Sequence, residues 1–196
     1  MDKLTVLGIA GSPRRKGNSE TLLDWTLESA AARGAAVEKI RACDLKFSPC
    51  RECGSCNKTG VCVQDDEMQL IYPKFLAADR VIIATPMFFM NMPAQMKAFV
   101  DRFQCLWAKK YLLKQPLRDD NRVRRGYAVA VGGTKGQSLF NGLNQLFKCF
   151  YPILDIEFEE ADSLYFRSVD EKGAIASHPA AKAGAAALGE KIALGD

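Results

Sequence analysis

The 196 residues read as an α/β chain: a doubly wound, five-stranded parallel sheet with helices on both faces. Three observations predict this. Strand-like and helix-like stretches alternate along the whole chain, with no internal repeat and no linker-like shift of composition. The strand candidates, such as 4–10 and 80–85, are continuous apolar runs, the pattern of strands covered on both faces. The first of them runs into Gly11-Ser12-Pro13, a turn that opens a helix, as a crossover between parallel strands requires.

Residues 4–10 predict the first strand. A helix over 19–33 follows, packing through Leu22, Leu23, Trp25 or Thr26, and Leu27, and ended by Gly34. Residues 37–40 predict the second strand, and a cysteine-rich loop over about 47–64 comes after it. Asp65 and Asp66 open a helix to about residue 78, where Pro73 predicts a kink. The third strand is 80–85, followed by a loop over 86–93 and a helix over 94–107. Residues 127–131 form the fourth strand, closed by Gly132 and Gly133. A helix over 138–150, a fifth strand within 153–164 and an alanine-rich surface helix over 180–194 complete the chain, which reads as a single domain over 1–196.

Composition narrows the function classes. Hydrophobic residues make up 48% and charged residues 26%, a globular balance. A net charge of +4, dispersed along the chain, does not argue for nucleic acid. No apolar run approaches the roughly 18 residues of a membrane span. Met1 and Asp2 lead directly into the first strand without a cleavable leader, and the location expected is cytoplasmic. The single histidine, His178, stands at a helix entry, so hydrolytic triads and histidine-rich metal sites drop out. The chemistry is therefore expected from something the protein binds, with no side-chain catalyst of its own.

Cys50, Cys53, Cys56 and Cys62 follow the spacing C-x2-C-x2-C-x5-C. Two-residue spacings let thiolates converge from one loop, as iron–sulfur clusters need. Zinc also accepts four thiolates, and a reduced or disulfide-bonded loop is the bland alternative. Three cysteines within seven residues suit a cluster better than the split pairs of zinc ribbons. Cys43, Cys105 and Cys149 lie among apolar or helical neighbours and read as buried structural thiols.

The turn after the first strand offers the hydroxyls of Ser12, Ser19 and Thr21, the amide of Asn18 and the guanidinium of Arg14 at a helix N-terminus. Free N–H groups and a positive partial charge there suit a phosphate. The loop after the third strand, with Pro86, Met87, Phe88 and Phe89, is unusually apolar and suits a flat aromatic ring. Gly132 and Gly133 leave room for close approach after the fourth strand. Three such loops at one sheet edge are the arrangement expected for flavin mononucleotide (FMN). The basic stretch over 108–125 reads as a solvated connection, with docking of an acidic electron donor or of the extra NADPH phosphate as the alternative.

Gly11-Ser12-Pro13-Arg14 with Gly17-Asn18-Ser19, the cysteine run, Asp65-Asp66 with Met68, Pro86 with Phe88-Phe89, and the late Asp170, Gly173, His178, Pro179 pattern resemble the iron–sulfur flavoproteins. These belong to the flavodoxin-like, NADPH-dependent FMN reductase superfamily. The resemblance implies a flavodoxin-like FMN-binding domain and a [4Fe–4S] cluster on Cys50, Cys53, Cys56 and Cys62. It also implies homodimers or homotetramers in which a cluster lies near a flavin across a subunit contact. Ser12, Arg14, Asn18 and Ser19 would hold the phosphate, and Pro86, Met87, Phe88 and Phe89 would lie along the isoalloxazine. The expected function is an oxidoreductase moving electrons between a ferredoxin-like one-electron carrier and an acceptor. An NAD(P)H-dependent FMN or quinone reductase without a cluster is the alternative, and a zinc-stabilised binding domain is a third reading.

Overall fold

The strands pair in the order β2-β1-β3-β4-β5, all parallel, in a computed structural model that describes residues 3–195. The expected absence of a leader, resting on Met1 and Asp2, and the outer limits of the 1–196 domain lie outside those residues. The strands are β1 (Thr5–Ala10), β2 (Ala36–Arg41), β3 (Arg80–Pro86), β4 (Arg125–Val131), β5 (Glu157–Phe158) and β6 (Leu164–Phe166). The chain moves from β1 to one side for β2, then crosses to the other side for β3, so a crevice opens beyond the carboxyl ends of β1 and β3.

The two faces of the sheet are filled by alternate residues. Val6, Ala10, Ile82, Ala84, Tyr127 and Val129 face α1 (Asn18–Ala32) and α7 (Ala181–Leu194). Leu7, Ile9, Val81, Ile83, Ala128 and Ala130 face the opposite layer. That layer is formed by α3 (Met68–Ala77), α4 (Ala94–Asp101), α5 (Gln104–Trp107) and α6 (Asn141–Ile153). Phe75, Phe99, Phe103 and Phe150 meet there edge to face or tilted, with centroids 4.6 to 6.4 Å apart, a geometry that adds to area burial. Among the described residues, no helix is long and apolar enough to cross a membrane.

Several sequence expectations need correction. The fifth strand expected within 153–164 is the two-residue β5, because Ile153 ends α6, and a 3-10 turn at Glu160–Asp162 separates it from a sixth strand, β6, that was not expected. Both strands pair with β4, one near each end of it. The single helix over 94–107 breaks after Asp101, and α5 continues into a π-helical turn at Ala108–Leu112. Asp66 does not enter α3; its carboxylate accepts the Met68 amide at 3.1 Å from just outside. On α1 the buried position is Thr26, whose hydroxyl bonds the Leu22 carbonyl at 2.9 Å, while Trp25 stays partly exposed.

The basic 108–125 stretch is not simply a solvated connection. Arg124 is buried, and its guanidinium donates to the carbonyls of Ala78 and Leu154 at 2.8 and 2.7 Å, and to that of Phe75. Burial above all, with Arg118 nearby, brings its pKa down to about 10 against the opposing pull of Asp155, Asp79 and Asp120. Arg122 pairs with Asp79 and Asp120, and Lys110 reaches the Pro152 carbonyl and Asp155. These charges pin the start of β4 and the end of α6. Among the other thiols Cys105 is buried, Cys43 is half-buried and Cys149 is exposed, so burial holds for only one of the three.

The alanine-rich α7 is more than a surface helix, because Ala181, Ala185, Leu188, Gly189 and Ile192 are buried against α1. A Cβ on Gly189 would sit 2.3 Å from the Thr26 carbonyl oxygen and 2.6 Å from Ser29 Cβ. Gly189→Ala gains about 1 kcal/mol of helix propensity, but forcing two backbones apart costs about 1–3 kcal/mol or more. The clash involves backbone that cannot swing away, so the cost wins. The expected outcome is a melting temperature lowered by several degrees, measured by circular dichroism; an unchanged or higher value would show that the two helices separate freely.

Candidate functional site

The crevice at the carboxyl ends of β1, β3 and β4 gathers the three loops singled out from sequence. Ser12, Arg14, Asn18 and Ser19 come from the first loop, Pro86, Met87 and Phe88 from the second, and Gly132 and Gly133 from the third. The loops are tied to one another through backbone. The Gly11 amide bonds the Ala84 carbonyl at 2.7 Å, and the Met87 amide bonds the Val131 carbonyl at 2.9 Å.

The first loop is built around an unpaired hydroxyl. Ser19, in the first turn of α1, is 2% exposed, and its Oγ has no hydrogen-bond partner among the described residues. Gly17 precedes the helix without a side-chain cap, leaving first-turn amides free as helix ends do. A buried hydroxyl beside free amides at the positive end of a helix fits an anionic phosphate. Ser12 is 3% exposed, and its Oγ accepts the Arg14 amide at 3.2 Å, which shapes the turn. Arg14 itself stays exposed at the mouth.

A charged group underneath steadies this loop. The Glu20 carboxylate accepts the Lys16 amide at 2.7 Å and pairs with Arg41 and with Lys39. Burial alone would raise its pKa, but Arg41, the Lys16 amide and Lys39 hold it below the ordinary carboxylate value. Arg41 also reaches the Ser12 carbonyl at 3.3 Å, so the pair ties the loop to the end of β2.

Two predicted residues are spent elsewhere or stand apart. The Thr21 hydroxyl bonds the Gly17 carbonyl at 3.1 Å and does not line the crevice. Phe89 lies at the tip of a tight turn closed by the Phe88 amide on the Asn91 carbonyl at 2.7 Å. Phe89 and Met90 both have left-handed backbone, φ 49° and 65°, and the Phe89 side chain projects fully into solvent. Asn18 lines the crevice, yet its side chain is already engaged. Its amide donates to the Glu171 carbonyl at 2.8 Å and accepts the amides of Gly173 and Ile175 at 2.9 and 3.3 Å.

Those contacts bring in a fourth wall that sequence reasoning did not assign to the site, from Val169, Asp170 and Lys172. The signal for it was the Asp170 and Gly173 pattern, and Gly173 meets its partner Asn18 from 155 residues away in sequence. The glycines of the third loop also have a packing role. A Cβ on Gly132 would meet Leu139 at 2.6 Å, and one on Gly133 would meet the Asp170 carboxylate at 3.0 Å.

Cys50, Cys53, Cys56 and Cys62 lie between β2 and α3 and line a second cleft, of about 380 Å³, together with Arg102, Cys105 and Trp107. The run is folded by left-handed positions at Glu52 and Gly54, φ 50° and 72°, and by a one-turn helix α2 (Cys56–Thr59) closed at Gly60. Burial raises the Cys56 thiol pKa, and the neighbouring Cys50, Cys62 and Cys53 thiols add to the rise. Hydrogen bonding to Ser55 lowers that of the exposed Cys53. Among the described residues, no three cysteine, histidine or acidic side chains are grouped closely enough to hold a single metal ion. The donor set is nonetheless all thiol and lines one cleft, which is the chemistry an iron–sulfur cluster takes.

Residues 4–156 match the family described as NADPH-dependent FMN reductase. An iron-sulfur flavoprotein of Methanosarcina thermophila is 39% identical over 132 residues, 67% of this chain and 65% of that protein. An iron-sulfur flavoprotein of Methanocaldococcus jannaschii is 32% identical over 149 residues, 75% of this chain and 72% of that one. The matched stretch thus spans slightly less than two thirds of the first relative's length. The solved NAD(P)H:quinone oxidoreductase from Methanothermobacter marburgensis superposes with a TM-score of 0.77 over 97% of this chain and 96% of that one, at 12% identity. At that identity the likeness concerns the fold.

Proposed function

The chain belongs to the NADPH-dependent FMN reductase family, and from that premise we propose that it is a redox flavoprotein holding FMN and a [4Fe–4S] cluster. In this reading it moves electrons between a ferredoxin-like one-electron carrier and an acceptor, in a reducing cytoplasm where thiols persist as ligands. The observation that carries the flavin part is the buried, unpartnered Ser19 hydroxyl at the free N-terminus of α1, in a crevice walled by three strand-end loops.

Ser12, Ser19 and Arg14 would receive the phosphate, and Pro86, Met87, Phe88, Gly132 and Gly133 would border the ring. Cys50, Cys53, Cys56 and Cys62 would supply the thiolates of the cluster. FMN can exchange two electrons and the cluster one at a time, so together they join two-electron and one-electron chemistry. The protein's share is to bind and orient. The apolar Met87 and Phe88 surface limits water at the ring edge, while the Glu20 and Arg41 pair steadies the phosphate turn. The exposed apolar tip at Phe88, Phe89 and Met90 supports the expectation that the protein works as a homodimer or homotetramer.

A second reading, an NAD(P)H-dependent FMN or quinone reductase with unligated cysteines, is favoured by the family description itself. The two separate in one experiment. Protein purified without oxygen should contain iron and sulfide alongside flavin, and reduced ferredoxin should reduce the flavin faster than NADPH does in stopped flow. Fast reduction by NADPH in iron-free protein, with no response to ferredoxin, would establish the second reading.

A further inference from the structure

We propose that Arg102 is a positioning residue that raises the reduction potential at the cysteine cleft, acting through an N–H to the Cys62 sulfur and balanced by Asp66. The inference rests on the cluster reading above and concerns what this chain's own side chains do to it. The Arg102 side chain is 0% exposed. One terminal nitrogen donates to Asp66 Oδ2 at 2.6 Å and to the Ser48 carbonyl at 2.7 Å. The other donates to Asp66 Oδ1 at 3.1 Å and to Cys62 Sγ at 3.4 Å. Asp66 is held in turn by the Ser48 and Met68 amides at 3.3 and 3.1 Å.

The backbone of Arg102 is fixed as well. Its carbonyl accepts the Tyr72 hydroxyl at 3.0 Å and the Cys105 thiol at 3.6 Å. The buried Cys105 and Tyr72 thus serve as supports for the arginine, which gives Cys105 a role beside the cleft without making it a ligand. Arg102 Nε is buried with no partner among the described residues, so the guanidinium is not optimised as a brace alone. A buried ion pair used only to join a loop to a helix brings little stability over an apolar contact. What a fixed guanidinium does supply is a positive charge and an N–H aimed at one sulfur.

One-electron reduction of a cluster held there would add a negative charge to its iron–sulfur core, shared in part by the ligating cysteine sulfurs. A buried cation bonded to sulfur stabilises the reduced form and raises the potential, as hydrogen bonds to cluster sulfurs do. Asp66 offsets part of that charge from the other side of the guanidinium. Removing either partner should therefore move the potential in opposite directions. An interaction that serves folding alone predicts lost stability from both substitutions and no such split.

The test uses the full chain, reconstituted anaerobically with iron and sulfide. The potential is read by titrating the reduced-state electron paramagnetic resonance signal. Arg102→Gln should lower it, so that at a fixed applied potential the reduced-to-oxidised ratio falls by about tenfold, or 59 mV for one electron. Asp66→Asn should raise the ratio, and Arg102→Lys, which keeps the charge, should fall between Arg102→Gln and wild type. Should Arg102→Gln take up no iron, Asp66→Asn and Arg102→Lys decide. Potentials equal to wild type in the variants that load, or shifts of Asp66→Asn and the Arg102 variants in the same direction, overturn the inference while leaving the cluster reading intact. A wild-type chain that holds neither iron nor sulfide overturns both.

Discussion

The double variant Arg14→Ala with Ser19→Ala binds FMN at least about a hundredfold more weakly than wild type, with its melting curve unchanged. Hydrogen bonds to a charged group contribute about 1.5–3 kcal/mol each. Ser19 is buried with its Oγ unpaired, so it stands well within that range. Arg14 is exposed at the mouth, where solvent screening puts it at the lower end. Two contributions of about 1.5 kcal/mol give roughly the hundredfold loss. Arg14 is exposed, and Ser19, though buried, belongs to neither apolar cluster, so the fold should survive. Removing the Ser19 hydroxyl even relieves an unsatisfied polar atom, and the empty protein should be no less stable. Titration of apoprotein with FMN, followed by flavin fluorescence, gives the affinity; an unchanged value in the folded double variant removes this turn from the flavin site.

Cys53→Ser should lose bound iron altogether while keeping FMN, and Cys105→Ser should keep both. Serine preserves the size of cysteine but not the soft thiolate that iron prefers. Cys53 is exposed on a run that lines its own cleft, separate from the crevice of Ser12 and Met87. Its replacement should therefore leave the flavin site undisturbed. Cys105 shares the cleft but is buried, with its pKa pushed up to about 11 by burial above all. A thiol held in its protonated form and spent on the Arg102 carbonyl is a poor ligand. Iron and sulfide content with the flavin spectrum reads both variants; iron lost from Cys105→Ser and retained by Cys53→Ser would transfer the ligand role.

The parallel sheet was legible because its signals are local. The apolar runs at β1, β3 and β4 and the turn from β1 into α1 are adjacent in sequence, and each strand buries both faces. The three strand-end loops were legible for the same reason, since a doubly wound sheet brings them to one edge. The thiol spacing from Cys50 to Cys62 likewise marks a loop of four convergent sulfurs, with iron–sulfur, zinc and free-thiol readings all compatible with that spacing.

What the sequence could not determine is where side chains go once distant elements meet. Asn18 looks like a phosphate ligand in its loop, but the arrival of Glu171, Gly173 and Ile175 occupies its amide. Arg124 reads as one more charge in a basic run until three carbonyls of other elements bury it. Phe89 follows a strand that leads to the crevice, yet left-handed backbone at two residues turns its ring out. Arg102 and Asp66 are 36 residues apart and meet only when α4 packs beside the cysteine loop. Composition and spacing determine which chemistry this chain can carry, because ligand type and periodicity are properties of short segments. Tertiary structure alone decides which polar groups remain unpaired for a ligand, because that depends on what every other element has already bonded.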